Sequence, residues 1–70
     1  MNDRMFRVKM VEHKETLTSL AEALGISPAA LSNKINMKSE FKQTEIAFIR
    51  DRWELSTEEL DTIFFARPLS

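Results

Sequence analysis

Five residues, Leu24-Gly25-Ile26-Ser27-Pro28, limit what this chain can fold into more than any other feature of its sequence. Gly25 is the only glycine. Glycine takes the left-handed backbone that ends many helices without the clash a Cβ suffers. Ser27 is a good N-cap, and Pro28 follows at the first helical position, where its missing amide costs nothing. A helix stop and a helix start therefore fall within five residues. Upstream, Leu17, Leu20, Ala21 and Leu24 recur at spacings of three and four, one face of a helix that begins after Thr16 or Thr18. Downstream, Leu31 and Ile35 give the second helix its inner face. The small Ala21 lets two crossing helices approach closely, with Ile26 filling the space beneath. A turn of three to four residues containing glycine is what a helix-turn-helix requires.

The rest of the chain reads as helix as well. Its 70 residues are 43% apolar with a single glycine and two prolines, which argues against disorder, and alternating strand patterns are absent. A first helix is expected from about Arg4 to His13, capped by Asn2 or Asp3, with Met5, Phe6, Met10 and Val11 on its inner side. After a polar loop, MKSEF, a fourth helix runs from about Gln43 to Trp53 with Ile46, Ile49 and Trp53 inside. Ser56-x-x-Glu59 is a capping box that opens a fifth, about Thr57 to Phe65, burying Leu60, Ile63 and Phe64 before Pro68 stops it. The expected fold class is all-α, a compact bundle of about five short helices in a single domain over residues 1–70.

Several function classes find no support. Without cysteine there is neither a disulfide nor a thiolate metal site. His13 is the only histidine and has no second ligand nearby, so no metal site and no catalytic triad is expected. Asp51, Glu54, Glu58, Glu59 and Asp61 are explained by solvation and by charge complementarity at helix starts rather than by acid–base catalysis. The expectation is a protein that is not an enzyme and carries no cofactor. No run of 18 apolar residues exists, and the charged first residues do not read as a signal peptide, so the expected location is cytoplasmic, with no membrane partner. Net charge is −1, but residues 1–42 hold seven basic and five acidic residues, whereas 43–70 hold three and six. That tilt permits a phosphate-facing surface without establishing one.

The segment LTSLAEALGISPAALSNKINMKSEF resembles the helix-turn-helix of Cro/C1-type phage repressors, also called the XRE family. It is most similar to the short phage-encoded regulators whose recognition helix runs into a basic loop and an aromatic residue. The matching elements are Leu20-Ala21, Leu24-Gly25-Ile26-Ser27, Leu31-Ser32, Lys34-Ile35-Asn36 and Lys38-Ser39-Glu40-Phe41, and the likeness extends over roughly residues 4–65. It implies a lambda-repressor-like DNA-binding domain, operator DNA as partner, a homodimer on paired half-sites, and a recognition helix over about 28–36. One position departs from the family: where a glycine usually follows Asn36, this chain has Met37. The helix end must then use Asn36, which tolerates a left-handed backbone, or another turn.

Helical geometry selects the groove-facing side chains. At roughly 100° per residue, Ala29 and Asn33 point away from Leu31 and Ile35, flanked by Ala30, Ser32 and Asn36. Asn33 is the best base reader, because its amide can pair bidentately with adenine, while the alanines offer methyl contact to thymine. Thr18, Ser27, Lys34, Lys38 and Lys42 suit phosphates. Taken singly, each lysine is an ordinary surface residue, and Asn33 without the resemblance is an ordinary solvated one. Arg4, Arg7 and Lys9 are read as solvated rather than DNA-bound, the alternative being an N-terminal arm that reaches the backbone. Phe64 and Phe65 point roughly 100° apart, so at least one should lie near the surface, where with Met37 it forms a dimer or partner surface unless the tail folds back to cover its own core. The competing reading is a protein-binding module, an antirepressor or modulator that pairs with a phage repressor. The negative total charge, the alanine-rich face and apolar Met37 favour it.

Overall fold

Each helix begins where a side chain can take up its free amides. In the computed structural model, which describes residues 1–65, α1 spans Asp3–Glu12, α2 Leu17–Leu24, α3 Pro28–Ile35, α4 Gln43–Arg52 and α5 Thr57–Phe64. Asn2 caps α1 by accepting from the Met5 amide at 3.1 Å. Thr16 caps α2, accepting from Ser19 at 3.0 Å while its own amide donates to the Ser19 hydroxyl at 2.9 Å. Ser27 caps α3 through the Ala30 amide, and Ser56 with Glu59 forms the expected reciprocal box on α5. At α4 the preceding residue is Lys42, whose side chain cannot accept a bond. Glu45 does the work from inside the helix, its carboxylate accepting from the Lys42 amide at 2.8 Å.

The helix ends are equally uniform, and here the sequence reading needs correction. Four helices close with the same pair of backbone bonds, six-to-one and five-to-two, around one left-handed residue. At α2 that residue is Gly25 (φ 75), with Ile26 donating to Ala21 at 3.0 Å and Gly25 to Glu22 at 3.1 Å. At α1, α3 and α4 it is Lys14 (φ 54), Met37 (φ 62) and Glu54 (φ 50). Asn36 keeps a right-handed φ of −82, so the end of α3 is turned by Met37 itself, the position where the resembled family carries glycine. Lys38 donates to Asn33 at 2.8 Å and Met37 to Lys34 at 3.2 Å, which completes the motif despite the side chain.

All five helices meet at Phe6, Leu20, Leu31, Ile49 and Ile63, each fully buried. Phe6 is the hub. Its ring lies 5.2 Å from Trp53, 5.4 Å from Phe41 and 5.9 Å, edge-on, from Phe64. Trp53 and Ile35 are buried, and Met5, Met10, Leu17, Leu24, Ile26 and Leu60 pack against this centre, as the spacing predicts. Asn2 donates from its backbone to Ile63 at 2.7 Å and anchors α1 on α5. Val11 is the exception. Expected inside, it is 77% exposed. With Phe6 and Met10 inward, Val11 lies about 140° around the helix from Phe6, and Val8 about 200°. The described residues form an all-α bundle of five helices, none long and apolar enough to cross a membrane. The expected stop at Pro68 lies outside the described residues.

Candidate nucleic-acid interface

The α2–α3 pair is a helix-turn-helix in which three residues, Gly25, Ile26 and Ser27, separate two packed helices. Its frame is braced from behind. The Glu15 carboxylate, just before α2, accepts from the Ser19 hydroxyl at 2.6 Å, from the Arg52 guanidinium and from the Trp53 indole at 3.4 Å. The Arg52 contact, ahead of the opposing effect of burial, holds the Glu15 carboxyl below its ordinary value. The start of α2 is thereby fixed to the end of α4. Leu31 and Ile35 anchor α3 in the core, and this alone decides what α3 shows outward.

Ala29 and Asn33 are exposed on the outward face of α3, Ala30 and Ser32 are half-buried at its edges, and Asn36 is exposed at its end. Asn36 is not free to swing. Its Oδ1 accepts from the Arg7 guanidinium at 2.9 Å and its Nδ2 donates to the Ser32 hydroxyl at 3.3 Å. Arg7, on α1, therefore stands beside the C-terminal end of α3. Nothing in the sequence pointed to it, because the two residues are 29 positions apart and share no local pattern.

Of the residues assigned to phosphate, Thr18, Ser27, Lys38 and Lys42 are exposed. The Ser27 oxygen is engaged as the α3 cap, leaving its hydroxyl hydrogen as donor. Lys34 is a correction. Its side chain is 11% exposed, and its ammonium donates to the Glu45 carboxylate at 3.0 Å and to the Glu40 carbonyl at 3.1 Å, above the Phe41 ring. These contacts turn the charge inward to staple the loop between α3 and α4. Burial pushes the Glu45 carboxyl up, but the Lys42 amide and the Lys34 ammonium outweigh it and leave the group below its ordinary value. The signal missed was Glu45 as the only acidic residue in the first turn of α4, opposite an inward-leaning lysine.

The aromatic pair at the end of α5 divides as its geometry requires. Phe64 is half-buried and packs edge-on against Phe41 at 5.5 Å and against Phe6, so most of it belongs to the core rather than to a partner surface. Phe65 is 45% exposed and Met37 58%. The two flank an open groove of about 370 Å³ whose floor includes Phe41, Gln43 and Ile46. His13 stacks on Trp53 at 5.6 Å, with the rings 6° from parallel, and among the described residues no group of acidic or histidine side chains is placed to hold a metal.

The family described as "Protein of unknown function (DUF739)" matches residues 3–67. The chain belongs to that family. No curated protein and no solved structure matches it. The DUF739 match spans all five helices.

Proposed function

We propose that this chain is a DNA-binding transcriptional regulator of the Cro/C1 repressor type that lays α3 in the major groove of operator DNA. The observation that carries the reading is the outward face of α3. Ala29 and Asn33 project from a helix anchored by two buried residues, beside a capped and exposed start of α2. A helix presented this way can approach base edges without displacing any other part of the protein. Asn33 reads a base, Asn36 lies at the groove edge in a pose set by Arg7, and Ala29 and Ala30 supply methyl contacts. Thr18 and Ser27 with the first amides of α2 and α3, and Lys38 and Lys42 with Arg7, face the phosphates. With one strong donor on the readout face, two copies on paired half-sites supply the selectivity that one lacks.

The test is fluorescence anisotropy with DNA from around the chain's own gene, at 50 and 200 mM salt. Three cations on phosphate correspond to a loss of about 40-fold per protomer across that range, and about 10³-fold for two. Asn33→Ala removes a contact worth about 1–3 kcal/mol and brings operator binding towards that of unrelated DNA. Absence of binding at low salt refutes direct recognition by this chain.

A second reading draws on the exposed Met37 and Phe65 around the groove and on the inward turn of Lys34, which removes one cation from the α3 surface. In it the same fold binds a phage repressor protein as an antirepressor or modulator. Such a complex persists as salt rises, since apolar contact is not screened.

A further inference from the structure

The outer face of α1 carries an apolar strip that no other described residue covers. Val8 is 43% exposed and Val11 77%, and together with Asp3, Arg4, Arg7 and Glu12 they form one shallow surface. Val11 in particular leaves most of its side chain in water. The charges flanking the two valines are ordered. Arg4 stands one turn before Val8 and Glu12 one turn after it, an i, i+4, i+8 row of basic, apolar and acidic residues.

We infer that this face pairs with the same face of a second copy, the two α1 helices running antiparallel about a two-fold axis at Val8. That axis sets Val8 on Val8 and brings Arg4 of each copy opposite Glu12 of the other, giving two equivalent ion pairs. A parallel alignment sets Arg4 on Arg4 and Glu12 on Glu12, and like charges reject it. Antiparallel helices also place each positive N-terminus beside a negative C-terminus. Val11 of each copy then lies along the methylene stem of the other's Arg4, whose charged head reaches past it. Glu12 is available for this role. It is about half exposed and is held to Lys9 at 3.1 Å, while Lys9 has Glu59 as a second partner. One helix face is smaller than a stable protein interface, so the pairing is weak in solution.

The inference is independent of DNA binding, and its test uses no DNA. Sedimentation equilibrium of the whole chain from 10 µM to 1 mM is expected to show reversible dimerisation. Arg4→Glu and Glu12→Arg, each of which converts two attractions into two repulsions, raise the Kd roughly tenfold. The double variant Arg4→Glu/Glu12→Arg restores it to within about twofold of the wild type, a rescue that non-specific association cannot give. Val8→Asp abolishes dimerisation while the circular dichroism melt stays within a few degrees, because the side chain is outside the core. A chain that stays monomeric at 1 mM, or a Kd unmoved by the single charge reversals, overturns the proposal. So does a dimer that the double variant fails to restore.

Discussion

Replacing Glu45 probes a carboxylate that links two helices. Glu45 is 8% exposed, and its carboxylate holds both the Lys42 amide at the start of α4 and the Lys34 ammonium at the end of α3. Glu45→Ala deletes two charge-assisted bonds, each contributing about 1.5–3 kcal/mol. It also leaves an ammonium that is 11% exposed without its counter-ion. Against that, Lys34 keeps the Glu40 carbonyl, and its flexible stem can rotate the charge into water. The net expectation is a loss of about 2–3 kcal/mol, below the 3–5 kcal/mol typical when a rigidly buried pair is broken. Glu45→Gln keeps an oxygen for the Lys42 amide and loses only the ionic component, about 1 kcal/mol. A domain of this length has roughly 4–10 kcal/mol in all, so the alanine variant is expected to melt about 10–20 °C lower. Thermal and urea unfolding followed by far-ultraviolet circular dichroism measures both variants. An alanine variant within about 0.5 kcal/mol of the wild type refutes the view that this carboxylate ties α3 to α4.

Further outcomes follow from the helix ends and from the carboxylates. Met37→Gly relieves a left-handed backbone that disfavours a side chain and is expected to stabilise by about 0.5–1 kcal/mol, whereas Gly25→Ala costs about 1 kcal/mol. A Cβ at Gly25 meets nothing within 4 Å, so the cost comes from φ alone, and equal melting of Gly25→Ala and wild type contradicts it. Acidification should destabilise the fold. Lys9, with help from the Ser56 amide, holds the Glu59 carboxyl down to about 2, and those of Glu15 and Glu45 also lie below 4.5. Their contribution is complete above that ordinary value and is lost as pH falls through the lowered values, so melting temperatures measured between pH 5 and pH 2 should decline. A flat profile counts against these pairings.

Much of the fold was legible because its punctuation is chemical. Ser27-Pro28 placed the start of α3, Ser56-x-x-Glu59 that of α5, and Gly25 the end of α2, since each motif satisfies or frees backbone groups in only one way. The inner residues of α2 and α3 were equally plain, because their apolar residues occupy one stripe. In α1 they do not: Met5, Phe6, Val8, Met10 and Val11 surround the helix, so periodicity found the side of Met5, Phe6 and Met10 but not its edge, and misplaced Val11. Packing chose it through Phe6, the one side chain large enough to reach Phe41, Trp53 and Phe64 together. Lys34 and Lys9 were misjudged for a related reason, whereas Arg7 is exposed as expected. A charge near a proposed surface looks free until tertiary structure supplies Glu45 in one case and Glu59 in the other. The left-handed Met37 was invisible to propensity, since the backbone bonds that close α3 outweigh the preference of the residue that turns it.

The burial of Trp53 against Phe6 and beneath His13 has a practical consequence. The chain has one tryptophan and no tyrosine, so nearly all its near-ultraviolet emission originates from a single indole at the junction of α1 and α4. A blue-shifted spectrum reports the closed aromatic cluster, and a shift to the red reports its opening to water. Because that indole sits behind the helix-turn-helix and away from the outward face of α3, a ligand on that face should leave the emission maximum in place, while loosening of the frame should move it. The protein thus carries an intrinsic means of distinguishing occupancy from unfolding, without an added label.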